Sequence, residues 1–195
     1  MAQDNSAKLS EVREQVTRLL GSSQQGEIGD LKSFLEEFAL KDLTEERKSY
    51  DLGPEDDSDD DDYPDGHFKE SPNGKKPLLR SERLKEHQRK ALRDFRDGNG
   101  RSALHFAASS NAPGCGAVAE FILSLLPDAH ALVDDNGATP IILAANVSGR
   151  GVAEKMVRLL LLAGADAAAS DKDSVQAMHH AAAGGREQVV RLLHS

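Results

Sequence analysis

The sequence lacks tryptophan and is poor in other aromatics, with six Phe and two Tyr in 195 residues. A large aromatic core is therefore excluded. Ala and Leu must carry the packing, which suits small helices lying close together. The single cysteine, Cys115, cannot form an internal disulfide or supply a metal cluster, and points to a reducing compartment. No apolar run approaches the roughly 18 residues that cross a bilayer. The polar, mixed-charge start MAQDNSAKLSEVREQ has no apolar core of a secretory signal. A cytoplasmic location is expected, with the nucleus as the alternative, and no membrane contact.

Chemistry-bearing motifs are missing as well. The Gly-rich turn at Asn99–Ser102 has no following Lys and no preceding strand, so it is no phosphate loop. Zinc-ligand spacing and a Gly-x-Ser-x-Gly nucleophile elbow are both absent. The expectation is a protein with no catalytic residue, no metal, no cofactor and no small-molecule substrate.

The net charge of −9 is unevenly laid out. Residues 51–65 hold nine acids and no base, while residues 75–96 hold nine bases and three acids. Residues 97–195 are close to balance, with seven bases and ten acids.

That last region is periodic. Three stretches align without gaps at a spacing of 37 residues, starting at Asp97, Asp134 and Asp171. They read DGNGRSALHFAAS, DDNGATPIILAAN and DKDSVQAMHHAAA. An Asp stands three residues before Gly100, Gly137 or Ser174, which makes a tight turn in which Gly tolerates positive φ. Ser102, Thr139 or Gln176 follows at the helix-capping position, and Pro140 occupies a first helical position, where its missing N–H costs nothing. The alanine pairs Ala107–Ala108, Ala144–Ala145 and Ala181–Ala182 let helices approach closely. A longer apolar helix comes next in each unit: VAEFILSLL, AEKMVRLLLLAGAD and EQVVRLL. A single unit cannot bury its apolar face, so the units must stack.

Gly137–Ala138–Thr139–Pro140 with Ala144–Ala145, then Leu161–Leu162–Ala163–Gly164–Ala165–Asp166, resembles the ankyrin repeat, and so does GRSALHFAA from Gly100. The resemblance covers residues 96–195. It implies an all-α solenoid of helix-loop-helix units joined by short β-turns, with repeats at 97–133, 134–170 and 171–195, the last incomplete. The family period is about 33 residues, so the extra residues are expected between the helices, in loops projecting at Asn111–Gly116 and Val147–Gly151. The third unit lacks Gly and Thr-Pro, which leaves its turn less well specified.

Ankyrin proteins bind partners on their concave side, through turn tips and the exposed side of the short first helices. Carried onto this chain, that implies Asn99, Arg101, Phe106, Ser109 and Ser110 in the first unit. In the second it implies Asp135, Asn136, Ala138, Leu143 and Asn146, and in the third Lys172, Asp173 and His180. Phe106 and Leu143 are apolar where water is expected, so each is either an anchor for a partner or packing between neighbouring helices. His105 and His179 fall where the family carries a histidine, which favours a structural residue bonded to the next turn over a metal ligand or acid–base.

Residues 1–48 form a helical pair. Leu9, Val12, Val16, Leu19 and Leu20 make one stripe, and Ile28, Leu31, Phe34, Leu35 and Phe38 a second. The pair resembles the degenerate first unit of an ankyrin stack, and a free hairpin or short coiled coil stays open. Residues 49–77 form an acidic insertion expected to be disordered, since dense like charge and few apolar groups cannot offset the entropy of ordering. Within it Ser58 precedes four aspartates, a candidate site for an acid-directed kinase or simply a solvated serine.

Residues 78–96 read as a basic lead-in helix. Lys75–Lys76 with Arg89–Lys90 are a candidate nuclear-import signal. At the far end Val189, Val190, Leu192 and Leu193 leave more apolar surface than a terminal unit shows to water. That implies a continuing array or another cover. The functional expectation is a non-catalytic scaffold or adaptor that binds another protein. The alternative is a nuclear or nucleic-acid-associated factor that uses residues 75–96, masked by the acidic block.

Overall fold

A computed structural model describes residues 2–49 and 80–194. The acidic insertion, Ser58, Lys75 and Lys76 lie outside the described residues.

The described chain runs through nine α-helices. Two long ones open it, α1 (Ala2–Gln25) and α2 (Ile28–Ser49), followed by α3 (Arg80–Asp94). Three helix pairs follow: α4 (Ala103–Ser109) with α5 (Cys115–Leu125), α6 (Pro140–Ala145) with α7 (Arg150–Leu162), and α8 (Ala177–Ala183) with α9 (Glu187–His194). A 3₁₀ turn at Pro127–Ala131 follows α5, and one isolated bridge joins Ser170 to Gln176.

The repeat aspartates build the turns. Asp97 Oδ1 accepts from the Asn99 and Arg101 amides at 2.9 and 2.8 Å. Asp134 does so from Asn136 and Ala138, and Asp171 from Asp173 and Val175. Each turn then needs a left-handed residue, met by Gly100 at φ 72° and Gly137 at φ 75°. The third unit closes the same turn with Ser174 at φ 61°. The aspartate hydrogen bonds hold it there despite the Cβ, which ordinarily disfavours that region.

Helices α1, α4, α6 and α8 form one row, each packed on the next, and α2, α5, α7 and α9 form a second. Ala107, Ala108, Ala144 and Ala145 are all fully buried between them, beside Leu104, Ile141, Met156 and Leu160. Burial of a Leu or Ile side chain contributes about 1.5–3 kcal/mol, and the small alanines bring those large side chains within reach of the neighbouring row. Helix α3 lies against α2 and α5 on the second row, with Ala91 and Leu92 buried. Phe95 meets Phe38 edge-on at 5.1 Å and Phe34 at 6.4 Å, closing an aromatic cluster between α2 and the first turn.

Two expectations are corrected. The loop at 111–116 is shorter than expected, because Cys115 and Gly116 belong to α5, while Asn111 and Pro113 stay exposed. Its Gly114 sits directly against Gly26 of the α1–α2 turn, so close that a Cβ on Gly114 would come within 2.1 Å of the Gly26 carbonyl oxygen. In the second unit the loop expected at 147–151 is shortened in the same way, since Gly151 belongs to α7, which starts at Arg150.

The last helix also covers itself better than its composition implied. Val189 and Leu193 are buried, and Val190 and Leu192 pack partly against the core.

Candidate functional site

The turns and the first row of helices present one continuous surface. The turns are locked together: the Asp135 amide donates to the Asn99 carbonyl, and the Lys172 amide to the Asn136 carbonyl, both at 2.9 Å. Lys172 Nζ adds a bond to the Asp135 carbonyl at 2.5 Å. Backbone groups are thus satisfied within the ladder, leaving the side chains of Asn99, Asp135, Asn136, Lys172 and Asp173 exposed.

Other expected positions divide. Ser109 and Asn146 are exposed, and His180 is half-buried on α8. Arg101 leans inward, its Nε 3.5 Å from Asp134 Oδ2. Ala138 is corrected: it is 6% exposed, because its amide bonds back to Asp134 and its carbonyl receives His105. Ser110 is turned to an internal task, donating from its hydroxyl to the Gln24 carbonyl at the end of α1 at 2.5 Å. Phe106 and Leu143 both pack partly against the core and keep some exposed surface.

His105 is fully buried. Its Nδ1 accepts from the Ser102 amide at 3.2 Å and lies 2.8 Å from the Ser102 hydroxyl. The ring proton therefore sits on Nε2, which donates to the Ala138 carbonyl of the next unit at 3.1 Å. Burial holds this imidazole below its ordinary pKa of 6.5, against the smaller opposing pull of the Ala138 carbonyl. The group is a neutral structural link between units. His179 repeats the inner half of the arrangement, accepting from the Gln176 amide at 2.9 Å, but is exposed.

The basic helix is tied down. Arg89 Nε donates to the Leu125 carbonyl at 2.7 Å, and Lys90 Nζ to Asp42 Oδ2 at 3.3 Å. The same carboxylate is 2.7 Å from His87 Nδ1. Burial pushes the Asp42 carboxyl up, but the bonds from His87 and Lys90 outweigh it and hold the group below its ordinary range.

Sequence reasoning missed two features. Arg186 forks across two helix ends, giving Nη1 to the Ala145 and His180 carbonyls and Nη2 to the Asn146 carbonyl, at 3.0–3.1 Å. Only its place after Gly184–Gly185 hinted at a role. The other lies on α1, where Val12 of the apolar stripe is 48% exposed.

Among the described residues no cluster of three or more His, Cys, Asp or Glu is arranged to hold a metal ion, and no helix is long and apolar enough to cross a membrane. Residues 114–195 match the family model for ankyrin repeats (3 copies). The match starts at the second helix of the first unit. Comparison with curated proteins gives no match.

Proposed function

The chain is an ankyrin-repeat protein over residues 114–195, and on that premise we propose that it is a non-catalytic scaffold. Ankyrin repeats are in general protein–protein interaction modules, and the partner here is a protein held across the turn tips and the first-row helices. The N-terminal pair acts as the cap of the stack, with α1 against α4 and α2 against α5.

The observation that supports this reading is the turn ladder. It fixes Asp135, Asn136, Lys172 and Asp173 in place through backbone bonds, so little ordering entropy remains to oppose binding. The nucleic-acid reading has less support, since Arg89 and Lys90 are committed to Leu125 and Asp42.

The experiment is affinity capture from native lysate with the full chain and with an Asp135→Arg/Asp173→Arg variant, each bound protein quantified by mass spectrometry. The expected result is at least one partner captured about tenfold less by the variant, a loss of ~1.4 kcal/mol, with circular dichroism unchanged. A capture profile indifferent to both substitutions would overturn the reading. So would salt-dependent retention on a nucleic-acid matrix that disappears when residues 75–96 are deleted.

A further inference from the structure

Helix α1 belongs to the first row but lies outside the family match, and its exposed edge is not closed. Val12, Val16 and Leu20 recur every fourth residue along one wall of an open, mainly apolar groove, with Val12 exposed, Val16 half-buried and Leu20 buried at its base. Phe106 of α4 and the start of the first turn, Asp97–Gly98, form the other. The ridge from Val12 to Gln24 is about 18 Å long at 1.5 Å per residue.

Gly21 also lines this groove. Among the described helices it is the only glycine in a helix body rather than a first turn. A Cβ built on it would meet nothing within 4 Å, so internal packing does not require its smallness. A glycine there weakens the helix relative to alanine. What it provides is a notch in the ridge, level with the apolar wall.

The rim carries positive charge. Arg13 is exposed and takes part in no ion pair among the described residues. Arg96, at the opposite wall, spends its Nε and Nη1 on the Arg93 and Gly100 carbonyls, with the Asp94 carboxylate near enough to feel its charge. The one acid of the lining, Asp97, has its Oδ1 engaged by two turn amides. Two arginines against one aspartate give the lining a positive balance on a chain of net charge −9, which favours an acidic ligand.

We propose that this groove binds a short acidic amphipathic helix of a partner protein. Its apolar ridge lies along Val12, Val16, Leu20 and Phe106, with one large side chain in the Gly21 notch and a carboxylate on Arg13. A helix suits the site because the wall is itself a helical ridge of period four, and another helix's ridge can pack into the groove beside it. The proposal rests on the protein-binding reading above and names the partner's chemistry at one end of that surface.

The test uses the full chain and a fluorescein-labelled synthetic helix roughly three turns long, with Leu on one face and Glu on the flanks. A twin peptide carries Lys in place of Glu. Fluorescence polarisation at low salt is expected to show the Glu peptide binding about tenfold or more tightly than the Lys peptide. Gly21→Met fills the notch and is expected to weaken binding at least about tenfold while the melting temperature holds or rises. Gly116→Ala, the same kind of change away from the groove, leaves binding as it was. Arg13→Glu is expected to reverse the preference between the two peptides.

Binding that survives Gly21→Met, or that ignores the charge of residue 13, would overturn the proposal. A dimer of the chain that Gly21→Met dissociates would assign the groove to a second copy and overturn it as well. Lysate partners lost on turn-tip substitution but untouched by Gly21→Met would sink the groove alone and leave the wider reading standing.

Discussion

His105 is kept neutral by the direction of its hydrogen bonds: Nδ1 can only accept from Ser102, and Nε2 gives its proton to Ala138. Because its folded pKa lies below the ordinary 6.5, the unfolded chain binds more protons between those two values, and stability rises with pH there. The contribution is complete above about pH 6.5 and is lost as pH falls toward the folded value. Urea midpoints measured from pH 7.5 downward should decline through this window, and His105→Gln, starting from a lower midpoint, should decline less. An equal slope in both proteins would contradict the assignment. Ser174 shows a different residue-scale constraint. At φ 61° it holds a conformation that glycine adopts freely, and Ser174→Gly is expected to raise stability by about 1 kcal/mol. A urea midpoint that fails to increase would count against that. The repeat period identified both residues' positions, and placed Ala138 at a turn. It could not show that Ala138 is buried, since burial there depends on a histidine 33 residues away.

At the scale of elements, helix existence was largely readable and helix contacts were not. The stripes of α1 and α2 follow the 3.6-residue period, and Leu19, Leu31, Phe34 and Leu35 are buried as that period implies. Where α1 meets the first repeat is set instead by two glycines distant in the chain, Gly26 and Gly114, whose backbones touch. Gly114 has φ −82°, which any residue adopts, so its smallness matters only through this contact. Gly114→Ala is expected to destabilise the protein by about 1–3 kcal/mol through overpacking. Gly116→Ala, on a helix with open space around it, should instead stabilise by about 0.5–1 kcal/mol. Thermal melts of the two variants should move in opposite directions; a shift of the same sign would refute the glycine contact. Arg186 belongs to this scale too. Its guanidinium satisfies carbonyls at the ends of α6 and α8, where the helix dipole also favours a cation.

Over the whole molecule, the two rows convert a repeated sequence into a repeated surface. The His105 link and each turn-to-turn amide bond join only neighbouring units, as expected of a stack with local contacts. At the N-terminal pair, the exposed ion pairs Arg18–Glu37 and Lys41–Glu11 link α1 to α2, with Arg18 also lying over the Phe34 ring. The proposed binding surface follows from this arrangement. The turns project from one edge, and α1 extends the same row past the first repeat.

The sequence by itself determined the all-α repeat architecture, the turns at Asp97, Asp134 and Asp171, and the alternation of short and long helices. These depend on local rules: capping, turn chemistry and helical periodicity act within a few residues. Only the tertiary structure decided that α3 lies on the second row, that Gly116 and Gly151 belong to α5 and α7 rather than to loops, that Ala138 and Ser110 serve the interior, and that Val12, Gly21 and Phe106 border one groove. Each of those depends on which distant backbones can approach one another, and that is set by the fit of packed surfaces rather than by the order of residues along the chain.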